Sequence, residues 1–331
     1  MAKITNAFTT YGAQGNREDL SNAIYNIDPF DTPVMSAAGR RNVKNRTFDW
    51  QTEFLPLVDP NNAEFEGFEL TRTAATPTSR LTNVCQISKR DATVSGSQEE
   101  VDKAGKRSEM AHQMAMKSKV LKNDMETIMC SLQARVDGND TTPRKTESIP
   151  HWIARAIDKN AVQGGNVIGY VALGLPTTAT GTYSPAGAPN QVAITEVMVG
   201  DAMERAYNVG GKPDMLVLAP GPRRTISTFK GRDSAQVLVG KTEVVATVDI
   251  IATDFGRIKV MPSRWVPADI GLLLDDEYYS VAFFRRFRQY PIAKIGDAET
   301  RMILCEWGVE MKNPLAHILF NGIKKGAVVG V

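Results

Sequence analysis

Residues 97–134 read SQEEVDKAGKRSEMAHQMAMKSKVLKNDMETIMCSLQA, without a proline. Ser97 and Glu100 have the spacing of a capping box, in which each side chain satisfies an orphan backbone donor at a helix start. Val101, Ala104, Ala111, Met114, Ala115, Leu121, Met125, Ile128 and Leu132 then recur at steps of three and four, the period of an amphipathic helix. The pattern predicts one helix from Gln98 to Ala134, stopped by Asp137-Gly138-Asn139-Asp140. At about 1.5 Å per residue it would be roughly 50 Å long, well beyond the usual three turns.

Upstream the period changes to two. Thr47-Phe48-Asp49-Trp50-Gln51 and Leu81-Thr82-Asn83-Val84-Cys85-Gln86-Ile87 read as strands flanking an excursion. Its middle, Leu55 to Ser79, carries Pro56, Pro60 and Pro77 and the acidic residues Asp59, Glu64, Glu66 and Glu69, with little to build a private core. A two-stranded ribbon is marginal alone in water, so support from a neighbouring chain is expected. Residues 1–45 are rich in Thr, Asn, Gly and Ala, and Leu20, Ile24 and Ile27 are followed by Pro29 and Pro33. They read as an arm; a helix over Arg17 to Asn26 would be too short to stand without docking.

Downstream, helix and strand alternate. Thr195 to Asn208 reads as a helix stopped by Gly210, Met215 to Ala219 as a strand, and Pro220-Gly221-Pro222 as the opening of a short helix to Phe229. Val244 to Ile251, Arg257 to Met261, Ile270 to Leu274, Tyr278 to Phe284, Arg301 to Met311 and Leu315 to Phe320 read as strands. The fold class is therefore α+β.

Composition excludes several roles. The chain is 42% hydrophobic, and 39 basic against 37 acidic residues give a formal charge of +2, so there is no bulk attraction to nucleic acid or membrane. Met1 to Tyr11 lacks the apolar core of a secretion signal, which points to folding in the cytoplasm. The uncharged stretch Ala161 to Thr195 is broken by Pro176, Pro185 and Pro189 and does not read as a membrane span. Cys85, Cys130 and Cys305 are too far apart for a disulfide framework or a zinc knuckle.

Three patterns carry possible chemistry. Ala235-Gln236-Val237-Leu238-Val239-Gly240-Lys241-Thr242, with Leu272-Leu273-Leu274-Asp275-Asp276-Glu277 further on, resembles a relaxed phosphate-binding loop and an acidic metal-binding strand end. Such a loop needs a helix whose N-terminal amides face the phosphates, but Ala235 replaces the first glycine. Glu243-Val244-Val245-Ala246-Thr247-Val248 is β-branched where that helix should begin, so a hairpin turn at Gly240-Lys241 is the expectation. His112, His151 and His317 lack partners at metal-ligand spacing, and no Gly-x-Ser-x-Gly elbow occurs. No catalytic, cofactor or metal site is expected. Phe283-Phe284-Arg285-Arg286-Phe287-Arg288-Gln289-Tyr290 interleaves arginines with aromatics, which suits a nucleic-acid-binding module or a protein interface. The interface reading is preferred, because the segment continues a strand.

Taken in order, arm, acidic hairpin, long helix, mixed domain and returning β segment resemble the Hong Kong ninety-seven capsid fold of tailed double-stranded DNA bacteriophages. Local wording resembles one subfamily of these proteins: Arg17-Glu18-Asp19-Leu20, Ile24-Tyr25-Asn26-Ile27, Asp31-Thr32-Pro33-Val34, Val94-Ser95-Gly96-Ser97-Gln98-Glu99 and Val309-Glu310-Met311-Lys312-Asn313-Pro314. The resemblance implies an N-terminal arm over 1–45, an extended loop over 46–95 and a peripheral domain with the spine helix over 96–150. An axial domain over 151–288 and a return to the peripheral domain over 289–331 complete it. It implies a major capsid protein that assembles with copies of itself, as pentamers and hexamers, into an icosahedral or prolate shell around double-stranded DNA. Expected companions are a portal, a separate scaffolding protein, since the residues before the hairpin leave no room for a fused one, and a decoration protein as a further candidate. The expected locations are the virion and, during assembly, the host cytoplasm. Glu64, Glu66, Glu69, Arg285, Arg286 and Arg288 are the expected inter-subunit residues. Some relatives lock their shells with a lysine-to-asparagine bond from the extended loop, but Glu53 to Arg80 contains no lysine.

Lys241→Ala should leave shell assembly intact, as followed by sedimentation. Stoichiometric ATP binding that this substitution removes would restore the nucleotide reading.

Overall fold

The computed structural model describes residues 30–53, 58–69, 78–159, 167–169, 193–227, 229, 237–238, 244–245 and 250–324. The expected helix at Arg17 to Asn26 and the turn at Gly240-Lys241 lie outside the described residues. In chain order the elements begin with α1 (Pro33–Ala37), β1 (Gly39–Asn42), β2 (Thr47–Thr52), β3 (Ser79–Val84), β4 (Gln86–Ser95), α2 (Gly96–Glu100), α3 (Glu109–Cys130) and α4 (Ile149–Lys159). They continue with β5 (Val167–Gly169), α5 (Glu196–Asn208), β6 (Met215–Leu218), α6 (Pro220–Ile226), β7 (Val237–Leu238), β8 (Val244–Val245), β9 (Ile250–Thr253) and β10 (Gly256–Pro262). The last are β11 (Ile270–Leu274), β12 (Tyr279–Ile292), β13 (Ala298–Met311) and β14 (Ile318–Asn321).

A four-stranded sheet in the order β1-β12-β13-β4 carries α3 on one face. Residues 303, 305, 307, 309 and 311 of β13 alternate toward the core, where Ile303, Cys305, Trp307, Val309 and Met311 are buried with Leu121, Met125 and Met129 of α3. A six-stranded sheet in the order β5-β14-β11-β6-β10-β9 is packed on both faces. Met215, Val217, Leu272, Leu274 and Leu319 join the α3 core, whereas Leu216, Leu218, Leu273, Ile318 and Phe320 pack with Val199, Ala202 and Met203 of α5. Burial of both faces explains why Met215–Leu218 and Ile270–Leu274 are apolar runs rather than alternating strands.

The long helix is interrupted, which corrects the expectation of one helix over Gln98 to Ala134. The cap of α2 is Ser95 rather than Ser97 of the expected capping box: its side chain accepts from the Gln98 amide, Ser97 lies within the helix, and the chain is extended again at Val101. Gly105 has φ +74°, a left-handed conformation that side chains disfavour. Ser108 then caps a new helix by accepting from the Ala111 amide. The Glu99 carboxylate accepts from the Glu109 and Met110 amides at 3.0 and 3.3 Å, so two orphan donors of α3 are satisfied from α2. α3 has 22 residues and ends at Cys130, giving about 33 Å.

Strand boundaries also differ from the reading: Leu315 and Ala316 lie in a 3-10 turn ahead of β14 rather than in the strand, and β13 begins at Ala298 rather than Arg301. Leu81 to Ile87 divides at Cys85, whose amide donates to the Arg46 carbonyl at 2.7 Å. β3 before it pairs with β2 in a ribbon, and β4 after it pairs with β13. β12 extends to Ile292 rather than Phe284, because register shifts between Phe283 and Arg285 and between Arg285 and Arg288 break the period-two pattern while its pairing with β13 continues. The returning segment is shared: β13 lies in the four-stranded sheet, whereas β14 pairs with β11 and β5 in the six-stranded one.

Proline scanning should locate the start of α3. Lys117→Pro lies within the hydrogen-bonded ladder and should lower stability by about 3 kcal/mol or more. Ala111→Pro removes only the bond to Ser108 and should cost about 1 kcal/mol. Urea unfolding of the two variants measures the difference, and equal large losses would mean that the helix runs unbroken through residue 111.

Candidate functional site

The base of the β2–β3 ribbon is built into the subunit. Phe48, Trp50 and Val84 are buried, Trp50 stacks on Phe48 and packs at a tilt against Trp152 with ring centroids 5.8 and 5.4 Å away, and its indole N–H donates to the Met311 carbonyl at 2.9 Å. Buried Asn83 donates to the Val309 carbonyl at 2.6 Å and accepts from the Val84 and Glu147 amides. Gly308 allows this approach: a Cβ there would meet a Phe48 ring carbon at 2.7 Å and the Val84 carbonyl oxygen at 2.9 Å.

The tip has no such seat. Val58 is 92%, Phe65 88% and Phe68 53% exposed. The Phe68 amide donates to the Phe65 carbonyl at 3.1 Å across a turn in which Gly67 takes φ +84°, a conformation suited to glycine. Glu64, Glu66 and Glu69 are exposed around it and form no ion pair among the described residues. Two aromatics interleaved with three carboxylates thus stand exposed, whereas the ribbon base is packed into the subunit. Charge at this tip was legible from the sequence; the significance of Phe65 and Phe68 was not drawn from it.

Arg285, Arg286 and Arg288 do not form one cluster. The Arg285 Nε lies 2.7 Å from Oε2 of Glu306, while Arg144 Nη2 lies 2.6 Å from its Oε1, so two guanidiniums neutralise one buried carboxylate. Arg286 Nε donates to the side-chain oxygen of Asn42 on β1 at 3.0 Å. Arg288 is exposed and has no carboxylate partner among the described residues. Register places Arg285 beside Glu306 and Ile87, then Arg288 beside Leu304 and Lys89, then Tyr290 beside Met302 and Asp91. These rows lie on the sheet face opposite α3, where Ile87 and Ile292 are exposed and Leu304, Met302 and Tyr290 are half-buried. A largely apolar sheet face, on which Arg288 and Lys89 outnumber Asp91, therefore stands beyond the ribbon base. Glu306 and Arg144, which join the loop after α3 to this face, escaped the reading because 162 residues separate them.

The phosphate-loop pattern takes another form. Val237–Leu238 pairs antiparallel with Val244–Val245, so a strand stands where the helix would have to present its amides. Asp275 accepts from the Lys212 and Glu277 amides and its own amide donates to His317 Nδ1, which commits it to the turn after β11. Burial pushes the His317 imidazole down to about 3. His151 lies 2.7 Å from a Glu147 carboxylate oxygen one helical turn away.

A model of the SU10 major capsid protein family matches residues 3–324. The chain belongs to that family. It is similar to the major capsid protein of Escherichia phage Phieco32, with 25% identity over 350 residues covering 97% of this chain and 98% of the other. Its fold is similar to the capsid structure of the cyanophage P-SCSP1u, with 11% identity, TM-score 0.62 and 96% of each chain covered. It is equally similar to the capsid of a native GTA particle, with 13% identity, TM-score 0.62 and coverage of 97% and 100%. The fold is the phage capsid fold read from the sequence, and this capsid subunit forms a phage shell from copies of itself, as a virion component.

Arg285→Glu should destabilise the isolated capsid subunit by about 1–3 kcal/mol, because it sets a like charge against buried Glu306. Arg288→Glu should change stability by no more than about 0.5 kcal/mol. Chemical unfolding of both variants checks this, and equal effects would mean that the Glu306 pairing does not hold the sheet.

Proposed function

We propose that the capsid subunits are joined by the acidic aromatic hairpin tip of one copy seated on the bare face of the four-stranded sheet of another. One observation carries this reading: an exposed Phe65–Phe68 turn ringed by Glu64, Glu66 and Glu69 is seated on nothing among the described residues, while a face bearing Arg288, Lys89, Asp91, Leu304, Tyr290 and Ile292 is likewise uncovered by any element among them. The two surfaces complement each other in charge and in apolar character. Fully burying a phenylalanine contributes roughly 1.5–3 kcal/mol, and each exposed ion pair only about 0–1 kcal/mol. The aromatics supply most of the affinity and the charges choose the seat. Arg286 contributes at the neighbouring β1 edge, and Arg285 through the face that it shapes with Glu306.

The shell encloses double-stranded DNA, takes pentamers and hexamers as its units and grows from a portal on a separate scaffolding protein in the host cytoplasm; the family resemblance supports this. The role is structural rather than catalytic, a reading supported by the β7–β8 pairing in place of a phosphate-binding helix. The exposed Tyr207–Phe255 ring pair, 5.5 Å between centroids, is the candidate seat for a decoration protein. Within the subunit, sheet membership draws β1 and β4 into the peripheral unit with α3, so the arm ends before β1 and the extended loop before β4, instead of at residues 45 and 95. It groups all of β12 with β13 in that unit and returns β14 to the axial one, instead of dividing them at residue 288.

Replacing Glu64, Glu66 and Glu69 together by lysine should reduce shell yield in sedimentation at low salt, and the defect should shrink as salt screens the repulsion. Phe65→Ser with Phe68→Ser should reduce it at every salt concentration. In both, circular dichroism should match the parent. Full yield from both would exclude the tip as an assembly contact.

A further inference from the structure

We propose that Glu126 is a proton-operated latch on α1, the segment that leads from the N-terminal arm into the body of the subunit: a proton on its carboxyl favours docked α1, and loss of that proton favours release. This goes beyond the assembly reading and does not depend on where the hairpin tip seats. At five residues α1 is far too short to persist alone. Its N-cap residue, Thr32, makes no side-chain capping bond. The cap comes instead from α3: Glu126 Oε1 accepts from the Val34 amide at 2.8 Å and Oε2 from the Met35 amide at 2.7 Å. The remaining ties are the burial of Val34, Met35 and Ala38, the Tyr279 hydroxyl donating to the Val34 carbonyl at 3.1 Å, and the Trp265 indole donating to the Asp31 carbonyl at 2.8 Å.

Glu126 is fully buried, and the titratable groups that face it supply no counter-charge. They are Asp31 ahead of α1, Cys130 one turn along α3 and Tyr279 on β12. Lys122, one turn earlier on α3, sits over the Phe30 ring at 5.8 Å. Burial of a carboxylate without a cation disfavours its charged form. Here it outweighs the two amide bonds, with Asp31 adding to it, and the carboxyl is pushed up to about 7. Once α1 leaves, the carboxyl meets water and returns toward its ordinary value of 4.5. The docked state therefore holds the proton more tightly. Docking is strongest in acid, weakens as the pH rises from about 4.5 to about 7 and is level above that. The latch thus holds α1 least tightly above about pH 7.

Hydrogen exchange of the full chain between pH 5 and 8, corrected for intrinsic rates, tests this. Protection of the Val34 and Met35 amides relative to the centre of α3 should fall about tenfold per pH unit up to about pH 7 and then level. In Glu126→Gln the relative protection should be independent of pH, whatever its level. In Asp31→Asn the wild-type slope should persist with its end point at lower pH. A flat wild-type profile overturns the proposal even if the glutamine variant does not fold, and so does a wild-type slope retained in Glu126→Gln.

Discussion

The burial of β13 is the interaction on which the rest of the subunit depends. One edge pairs with β12, and through it with β1; the other pairs with β4 from Ala298 to Trp307. Beyond Trp307 the strand loses β4, and its carbonyls at Val309 and Met311 are taken by Asn83 and Trp50 from the ribbon base. Its core face holds α3, and its other face holds Glu306 and Glu310 in charged pairs with Arg144, Arg285 and Arg41. A buried carbonyl or carboxylate left without its partner is costly, so ribbon, helix and sheet are fixed together.

That arrangement gives the extended loop a fixed base and an unsupported end. The aromatic rings that would bury it within the subunit, Phe48 and Trp50, lie at the base, while Phe65 and Phe68 lie at the tip. A large apolar side chain held in water is a standing incentive to associate. In a closed shell the same tip recurs in every subunit, so the proposed contact, at a few kcal/mol each, would accumulate around the shell. The four-stranded sheet suits this division: α3 covers one face, and the other is left largely apolar, with Arg288 and Lys89 against Asp91.

Much of this was legible in the sequence where a single local rule governed. Period two marked β2; Met215 to Ala219 and Ile270 to Leu274 were read as strands where β6 and β11 lie; and Thr195 with Gly210 bounded α5 correctly. Reading failed where two local signals competed or partners lay far apart. Three- and four-residue spacing carried the predicted helix across Gly105, although Ser108 restarts it and Glu99 caps the new turn. Bulges in β12 hid eight residues of strand, Phe284 aside, and made Arg285, Arg286 and Arg288 look like one set when they face Glu306, Asn42 and solvent. Glu126 carried no signal at all, because the amides that it caps lie 92 and 91 residues away.

The most direct test of this account is electron cryomicroscopy of shells assembled from the purified chain, at a resolution that shows side chains. The account places Phe65 and Phe68 of each copy against Leu304, Tyr290 and Ile292 of another, with Glu64, Glu66 or Glu69 within ion-pair distance of Lys89 or Arg288. A closed shell in which both rings remain in solvent, or fold back onto their own subunit, would contradict it.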